Sequence, residues 1–309
     1  MKVTIVGAGN VGATCAQRIA EASIADVYLV DVVDGLAAGK ALDMAQAAPI
    51  VGHGSRISGG TDYAPAEGSD IVVITAGLPR KPGMSRDDLL AANGKITTEV
   101  VTNITKYAPK AMLLMVANPL DVTTYIAQQV SGQPRERVFG MAGVLDTARF
   151  RAFIAMEVGC APGDVTAMVL GGHGDSMVPL PRHSTVSGIP ITQLIPAERI
   201  EAIVDRTRKG GAEIVGLLKQ GSAFYAPAAA VAQMVGSILR DEKHILPTCV
   251  QLKGEYGLDD VFVGVPARLG SAGVEQVVQV DLSEDELADL QASAAHVQGT
   301  VEAWKTMNQ

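Results

Sequence analysis

A histidine between glycines is the strongest candidate for acid–base chemistry in this 309-residue chain. His173 lies in the segment Gly171-Gly172-His173-Gly174-Asp175, directly after the strand-like stretch 165–170. Small neighbours leave its imidazole unshielded, and histidine titrates near neutral pH, as a proton-transfer group must. A structural role for His173 is the alternative, since single histidines are more often structural. The other histidines are interpreted as surface or packing residues: His53, His183, His244 and His296.

Two arginines on a Pro/Gly-rich loop are candidates for binding an anionic ligand. Arg80 and Arg86 stand six residues apart, directly after the apolar run 71–76. Ligands of open α/β sheets bind beyond the carboxyl ends of the strands, so this loop could close over a ligand as a lid. A solvated basic loop explains the same residues equally simply.

Two further segments place polar groups beside predicted secondary structure. Asn118 follows the apolar run 112–117 and could donate to a substrate oxygen, although a turn asparagine before proline is equally compatible. Asp146 and Arg149 open a predicted helix. Asp146 could be the N-cap of that helix, and the pair, three residues apart, could form a surface ion pair.

The amino terminus carries a candidate dinucleotide site. Six residues fit the pattern GxGxxG: Gly7, Ala8, Gly9, Asn10, Val11 and Gly12. In this pattern Gly7 allows the tight turn, Gly9 lets the backbone approach a pyrophosphate, and Gly12 lets helix and strand pack closely. Asp31, at the end of the next predicted strand, can accept both hydroxyls of the adenine ribose and would repel a 2′-phosphate. The pattern therefore favours NAD over NADP; a glycine turn in a nucleotide-free α/β fold is the alternative.

The first half of the chain alternates apolar runs with helical patterns. The predicted strands are 2–6, 27–30, 71–76 and 112–117, and the clearest helices between them are 11–22 and 89–107. Apolar runs without polar alternation are typical of strands buried on both faces of a parallel sheet. The sequence thus predicts the α/β class, with a doubly wound parallel-sheet (Rossmann) domain over residues 1–143.

The second half predicts an α+β substrate domain over residues 144–309. Helices are expected at 147–158, 197–219 and 223–239, and a meander of short strands at 245–280. Six residues are expected to break these strands: Gly254, Gly257, Gly264, Pro266, Gly270 and Gly273. Ser283 and Glu286 form a capping-box pattern before a last helix. Its buried stripe is expected to comprise Leu287, Leu290, Ala294, Val297, Val301 and Trp304.

Composition excludes several classes of protein. With 48% hydrophobic and 19% charged residues, the chain is not disordered, and 25 basic against 33 acidic residues without a like-charge run argue against nucleic acid as a partner. Cys15, Cys160 and Cys249 are scattered and lack metal-ligand spacing, so we expect no metal and a reducing compartment. Neither a signal sequence nor a membrane span is evident, and we expect a soluble cytoplasmic protein without membrane contacts.

Together these segments resemble the lactate/malate dehydrogenase family. GAGNVG with Asp31, RKPGMSR, ANPLD, VLDTARF and GGHGDSMVPLPR occur in the family's order and spacing, and the resemblance covers essentially the whole chain. It implies that His173 is the general acid/base and Asp146 its carboxylate partner. It further implies that Arg149 clamps the substrate carboxylate, while Arg86 polarises the reacting carbonyl and Asn118 hydrogen-bonds the same oxygen.

The resemblance also implies NAD as cofactor and malate/oxaloacetate as the substrate pair. Arg80 matches the family's specificity position, where it would pair with the second carboxylate of a four-carbon dicarboxylate; lactate dehydrogenases typically carry Gln there. Enclosing that arginine with pyruvate would cost several kcal/mol. Ala223 matches a position where lactate dehydrogenases usually carry Thr. The cofactor-lining residues are expected to include Asn93, Val116, Ala117 and Asn118.

Three alternatives to this function remain at this point. They are an L-lactate dehydrogenase, a dehydrogenase of another 2-hydroxy dicarboxylate such as sulfolactate, and a non-catalytic NAD-binding protein. The last predicts loss of at least one of four residues that are all present here: His173, Asp146, Arg149 and Arg86. The resemblance also implies a homo-oligomer and, with malate as the substrate, a role in the tricarboxylic acid cycle. We expect a homotetramer rather than a homodimer.

Overall fold

A nine-stranded sheet runs through the part of the chain that the structure describes, residues 1–79 and 84–307 of a computed structural model. The strands are β1 (Lys2–Val6), β2 (Asp26–Val30), β3 (Ile57–Gly60), β4 (Ile71–Ile74), β5 (Met112–Met115), β6 (Val138–Gly140), β7 (Val165–Thr166), β8 (Val169–Leu170), β9 (Val178–Pro179), β10 (Thr185–Val186), β11 (Ile189–Pro190), β12 (His244–Lys253), β13 (Asp259–Gly270) and β14 (Gly273–Val277). The large sheet has the order β14-β13-β12-β6-β5-β4-β1-β2-β3, and the remaining strands form small sheets β11-β10-β7 and β8-β9.

Six strands of this sheet are parallel and confirm the predicted doubly wound fold. Their order β3-β2-β1-β4-β5-β6 reverses direction between β1 and β4, which is the crevice where open α/β sheets bind nucleotides. Every residue of β4 and β5 is buried. Alternate residues of β4 pack into different clusters, Ile71 and Val73 into one and Val72 and Ile74 into the other. Both faces of the sheet are therefore covered.

The carboxyl-terminal part of the sheet is antiparallel. β12 pairs with β6, where Cys249 faces Gly140, and β13 and β14 follow. The prediction of short strands is wrong here, because β12 has 10 residues and β13 has 12. Gly264 and Pro266 lie inside β13 instead of breaking it. A Cβ on Gly264 would stand 2.7 Å from the carbonyl oxygen of Gly171, so this glycine admits a neighbouring backbone.

Helices cover the sheet and carry several of the candidate residues. They are α1 (Asn10–Glu21), α2 (Leu36–Val51), α3 (Arg86–Tyr107), α4 (Leu120–Ser131), α5 (Gly143–Val158), α6 (Ile191–Leu194), α7 (Ala197–Leu218), α8 (Tyr225–Leu239) and α9 (Glu284–Met307). The predicted capping box of α9 is confirmed: the Glu286 amide donates to Ser283 Oγ at 3.2 Å, and the Ser283 amide donates to Glu286 Oε2 at 2.8 Å. Leu290, Ala294, Val297 and Val301 of the predicted stripe are buried as expected, whereas Leu287 and Trp304 are only partly buried against the core.

Two helices begin three or four residues earlier than predicted. α3 begins at Arg86, where Ser85 and Asp88 complete a capping box, and α5 begins at Gly143, next to the predicted domain boundary. The strand-like stretch 165–170 is divided into β7 and β8.

Within the described ranges, no helix combines the length and apolarity that crossing a membrane requires.

Candidate active site

His173 lies on a loop that leaves β8 and is tied to the core. Gly171 exchanges two backbone hydrogen bonds with Gly264 of β13, at 2.9 and 3.0 Å. The following amide, that of Gly172, donates to Ser293 Oγ at 2.8 Å, and the amide of His173 donates to Asp121 Oδ2 at 2.9 Å. A loop residue is thereby held by strand and helix partners, which limits its freedom to move.

Asp146 meets the His173 ring from the first turn of α5. Its Oδ2 lies 2.8 Å from Nδ1 of His173, and the Asp146 side chain is 2% exposed. Because a carboxylate only accepts, this contact assigns the proton to Nδ1 and leaves Nε2 free to face a ligand. The N-cap interpretation of Asp146 is wrong, since the cap residue is Ala142.

The environment of His173 raises its pKa above the ordinary value of 6.5. Burial by itself lowers the pKa because it disfavours the charged ring. The charge of Asp146 and its hydrogen bond to the ring act in the opposite direction and outweigh burial. The charge of an ionised Asp121 would add to them, and Arg149 opposes them. The imidazole is consequently suited to hold a proton in one half-reaction and release it in the other.

Arg149 stands on the same helix turn, beside the His173–Asp146 pair. Its Nη1 donates to Asp146 Oδ1 at 3.1 Å, and its side chain is only 12% exposed, so the alternative of a surface ion pair is wrong. Its Nε is buried and has no hydrogen-bond partner among the residues that the structure describes. A buried guanidinium with a free donor fits a carboxylate ligand, which accepts two parallel hydrogen bonds.

Two adjacent glycines in the middle of α7 make room for the Arg149 side chain. A Cβ on Gly210 would stand 3.1 Å from Cδ of Arg149, and one on Gly211 would stand 3.7 Å from its Nη2. Neither glycine was predicted from the sequence to belong to the site. The signal was available, because two glycines inside a long helical pattern are costly unless packing requires them.

The substitution Gly210→Ala is expected to impair substrate binding without lowering stability. The added methyl group must displace Arg149 by a few tenths of an ångström, which should lower kcat/KM for a 2-oxo acid about threefold to tenfold, mainly through KM. Helix propensity favours alanine by about 0.5–1 kcal/mol, so unfolding cannot explain that loss. Gly216→Ala, where no atom lies within 4 Å of the added carbon, is the matched control on α7. Equal kinetics for the two variants would contradict the packing role.

Arg86 lies at the first position of α3, on the loop side of the site. Its Nη2 is 3.3 Å from Oδ2 of Asp175, and both side chains are exposed. Asp175 belongs to the loop of His173, so the structure brings Arg86 to the rim of the same site. Arg80 lies outside the described residues.

Asn118 and Asn93 connect two loops at the carboxyl edge of the sheet. The Asn93 side chain is buried in α3, where its Oδ1 accepts from the Leu78 amide at 2.7 Å and its Nδ2 donates to the Asn118 carbonyl at 2.6 Å. Asn118 itself is exposed, directly after Val116 and Ala117. Asn93 thus positions the segment that carries the exposed Asn118.

The glycine-rich loop fits a dinucleotide. Gly7 adopts φ +102°, and a Cβ there would meet Thr75 Oγ1 at 2.7 Å, while a Cβ on Gly12 would stand 1.8 Å from the Gly7 carbonyl oxygen. By contrast, nothing lies within 4 Å of a Cβ on Gly9, at the N-terminus of α1. Gly7 therefore meets the requirement of a tight turn, and Gly12 that of close helix packing. The open space at Gly9 would let a pyrophosphate approach the backbone.

Asp31 follows β2 and supports the same loop. Its Oδ2 accepts from the Ala8 amide at 2.7 Å, and its Oδ1 accepts from the Val33 amide at 3.0 Å. Lys40, which was not predicted from the sequence, donates to the Ala8 carbonyl at 2.8 Å. A carboxylate has lone pairs beyond these two bonds, so Asp31 can still accept from ribose hydroxyls.

Comparison with known proteins shows the family of the chain. Family profiles described as lactate/malate dehydrogenase, NAD binding domain, and lactate/malate dehydrogenase, alpha/beta C-terminal domain, match residues 1–140 and 143–307. A malate dehydrogenase of Chloroherpeton thalassium is 56% identical, with 100% of both chains covered. Among solved structures, malate dehydrogenase from Salinibacter ruber is 52% identical with a TM-score of 0.96, covering 100% of this chain and 99% of that one. Lactate dehydrogenase from Cryptosporidium parvum, complexed with lactic acid and β-nicotinamide adenine dinucleotide, is 38% identical with a TM-score of 0.95, covering 98% of each chain.

Proposed function

Because the chain belongs to the lactate/malate dehydrogenase family, we propose that it is an NAD-dependent malate dehydrogenase, which interconverts (S)-malate and oxaloacetate. The observation that carries the proposal is the buried cluster of His173, Asp146 and Arg149. It combines a proton-transfer group with a carboxylate clamp, which is what oxidation of a 2-hydroxy acid requires. When bound, NAD+ supplies the hydride acceptor; Gly9, the N-terminus of α1 and Asp31 would hold it.

In this proposal His173 moves the hydroxyl proton. Nε2 of neutral His173 takes the proton from the malate hydroxyl as the C–H bond is broken, and the protonated ring returns it during oxaloacetate reduction. Asp146 fixes the Nδ1–H tautomer and stabilises the imidazolium. A positioned acid/base of this kind contributes about 10²–10⁴ in rate.

The remaining polar residues would bind and polarise the substrate. Arg149 would hold the carboxylate next to the reacting carbon, and its planar guanidinium would also orient that carbon. Arg86 would polarise the reacting carbonyl and Asn118 would donate to the same oxygen. Arg80 would pair with the second carboxylate, an assignment that depends on the resemblance alone.

The substrate is tested by measuring NADH oxidation with oxaloacetate and with pyruvate. We expect the wild type to prefer oxaloacetate by about 10³-fold or more in kcat/KM, because an enclosed arginine without a counter-ion costs several kcal/mol. Arg80→Gln should move the preference toward pyruvate, while Lys81→Gln, a neighbouring loss of positive charge, should not. A wild type that prefers pyruvate would refute the proposal.

An L-lactate dehydrogenase is the second candidate, favoured by the similarity to the Cryptosporidium parvum lactate dehydrogenase. Arg80 and Ala223 argue against it. A dehydrogenase of another 2-hydroxy dicarboxylate would also use Arg80, and rates on a panel of dicarboxylates would distinguish it from a malate enzyme.

We further propose the division into an NAD-binding domain, residues 1–143, and a substrate domain, residues 144–309, and a homotetramer as the active form. The limits of the two family profiles support the division.

Apolar side chains on α2 support self-association: Leu42 is 61% exposed and Ile50 is 90% exposed. Free thiols at Cys15 and Cys249 support a reducing, cytoplasmic location, where the enzyme would serve the tricarboxylic acid cycle.

A further inference from the structure

Two consecutive amides of the His173 loop are bonded to side chains of separate helices. The Gly172 amide donates to Ser293 Oγ of α9, and the His173 amide donates to Asp121 Oδ2 of α4. Both acceptors are buried, with Ser293 3% exposed and Asp121 5% exposed. Both also lie far from the loop in sequence, at separations of 121 and 52 residues. Backbone amides in loops usually bond to nearby residues or water, so these two long-range contacts need an explanation.

The glycines of the loop are what allow these helices to come so close. A Cβ on Gly171 would stand 2.9 Å from Ser293 Oγ. A Cβ on Gly172 would stand 2.8 Å from Cγ2 of Val297 and 3.3 Å from Asp121 Oδ2. The loop therefore lacks side chains on the side that faces α4 and α9. Packing at this distance fixes the backbone from which the His173 ring projects.

Asp121 uses only part of its hydrogen-bonding capacity. Its Oδ1 is buried and has no N–H or O–H donor in residues 1–79 and 84–307, and the side chain that faces the carboxyl is the Cys249 thiol, which is only a weak donor. Burying an ionised carboxylate whose second oxygen lacks a strong hydrogen-bond donor costs free energy. A neutral carboxyl or an amide at the same position would cost less. Burial raises the pKa of Asp121, against the opposing effect of its hydrogen bond from His173.

We propose that Asp121 and Ser293 are positioning residues that hold His173 through its backbone, and that Asp121 acts as a hydrogen-bond acceptor and not through its charge. Asp146 then controls the ring and its proton, while Asp121 and Ser293 control where the ring stands. The inference deepens the proposed function and rests on it, because it assigns supports to the proposed acid/base. Both residues bond to backbone amides of the loop, whereas the ring bonds to Asp146, so Asp121 and Ser293 act through the position of His173.

The test compares variants that keep the acceptor with variants that remove it. Asp121→Asn keeps an acceptor oxygen and loses the charge, whereas Asp121→Ala and Ser293→Ala remove the acceptors. We expect kcat for oxaloacetate reduction to fall about tenfold to hundredfold in both alanine variants, because a small misplacement of a catalytic group has an effect of that size. Asp121→Asn should keep at least about a third of kcat. Dissociation constants for NADH, measured by fluorescence, should stay within about twofold of wild type in every variant.

The pH profile separates positioning from charge. The titratable groups that face His173 are Asp146 and Arg149 of α5 and Asp121 of α4. The Cys249 thiol of β12 faces Asp121, and burial raises the pKa of that thiol. If Asp121 is neutral, Asp121→Asn leaves the pH limb assigned to His173 in place. A limb that moves to lower pH, or a loss of kcat equal to that of Asp121→Ala, would overturn the acceptor role. Wild-type kcat in both alanine variants would overturn positioning altogether.

Two controls keep the test decisive. Thr306→Ala and Asp289→Ala, on exposed positions of α9, should leave kcat unchanged and thereby exclude a general effect of altering this helix. The pKa of the His173 ring can also be measured by an NMR titration, which needs no substrate. This measurement therefore tests the positioning role even if the protein does not reduce oxaloacetate. In that case the proposed function fails, whereas an unshifted titration in Asp121→Asn and a broadened ring signal in Ser293→Ala would still support positioning. A sharp, unchanged signal in both alanine variants would refute it.

Discussion

Replacing Asp146 by Asn is expected to lower kcat for oxaloacetate reduction by about 10²–10⁴-fold. The amide has nearly the same shape, but it removes the negative charge that lies 2.8 Å from Nδ1 of His173. An amide can also donate to Nδ1, which would favour the tautomer whose proton is on the wrong nitrogen. Steady-state kinetics with NADH and oxaloacetate measure the loss. Asp205→Asn, at an exposed carboxylate paired with Lys209, is the matched control and should retain wild-type kcat.

The same variant has a defined effect on pH dependence. Malate oxidation requires the neutral ring, so kcat/KM for malate rises as pH increases through the pKa of His173. Burial lowers that pKa, and the charge of Asp146 reverses the effect. Without the charge, the rising limb should move to lower pH, and the falling limb of oxaloacetate reduction should move with it. A limb that stays in place, or moves to higher pH, would show that another group titrates.

Replacing Arg149 by Lys is expected to lower kcat/KM for oxaloacetate by a factor of about 30 to 4,000, which corresponds to about 2–5 kcal/mol. Lysine retains the positive charge but cannot form two parallel hydrogen bonds to a carboxylate. The shorter reach also leaves the space between Asp146 and Gly210 partly empty. Because the lost contact exists before the chemical step, much of the effect should be seen in KM.

Separate measurements distinguish this loss from misfolding or a damaged cofactor site. NADH affinity should remain near the wild-type value, since the glycine-rich loop lies on the other part of the sheet. Arg199→Lys, which alters an exposed ion pair with Glu157, should change neither kcat nor KM for oxaloacetate. If Arg149→Lys retained wild-type kcat/KM, the clamp would have to be another residue.

Local patterns were sufficient to predict four of the six parallel strands and the glycine-rich loop of the nucleotide-binding half. The apolar runs that became β4 and β5 lack polar alternation because both faces of those strands are covered, and this property is visible in sequence. The glycine spacing is equally local, since Gly7 and Gly12 contact each other within one turn and helix. By contrast, β3 has the sequence ISGG and β6 has only three residues, so neither forms a recognisable run.

Tertiary contacts were needed to choose between the alternatives for the active site. Asp146 and Arg149 have the same three-residue spacing in a surface ion pair and in a buried clamp, and only the contact with His173, 27 residues away, separates the two. Gly264 was predicted to break a strand because it is a glycine. In the structure it lies within β13 and forms an antiparallel bridge with Gly171. Asp121 belonged to a motif already identified, but its role depends on a loop 52 residues later. Such pairings are not encoded in local periodicity.

The joining of β6 to β12 has a consequence for protein engineering. The sheet passes without interruption from the parallel strands to the antiparallel ones, and one apolar cluster contains residues of both, such as Val3 and Val263. A fragment that ended after residue 143 would expose the edge of β6 and the apolar surface that β12–β14 cover, which is a template for aggregation. The nucleotide-binding half is therefore not a portable module. A chimaera that exchanges cofactor preference would have to transplant the antiparallel strands together with it, or change individual residues of the glycine-rich loop in place.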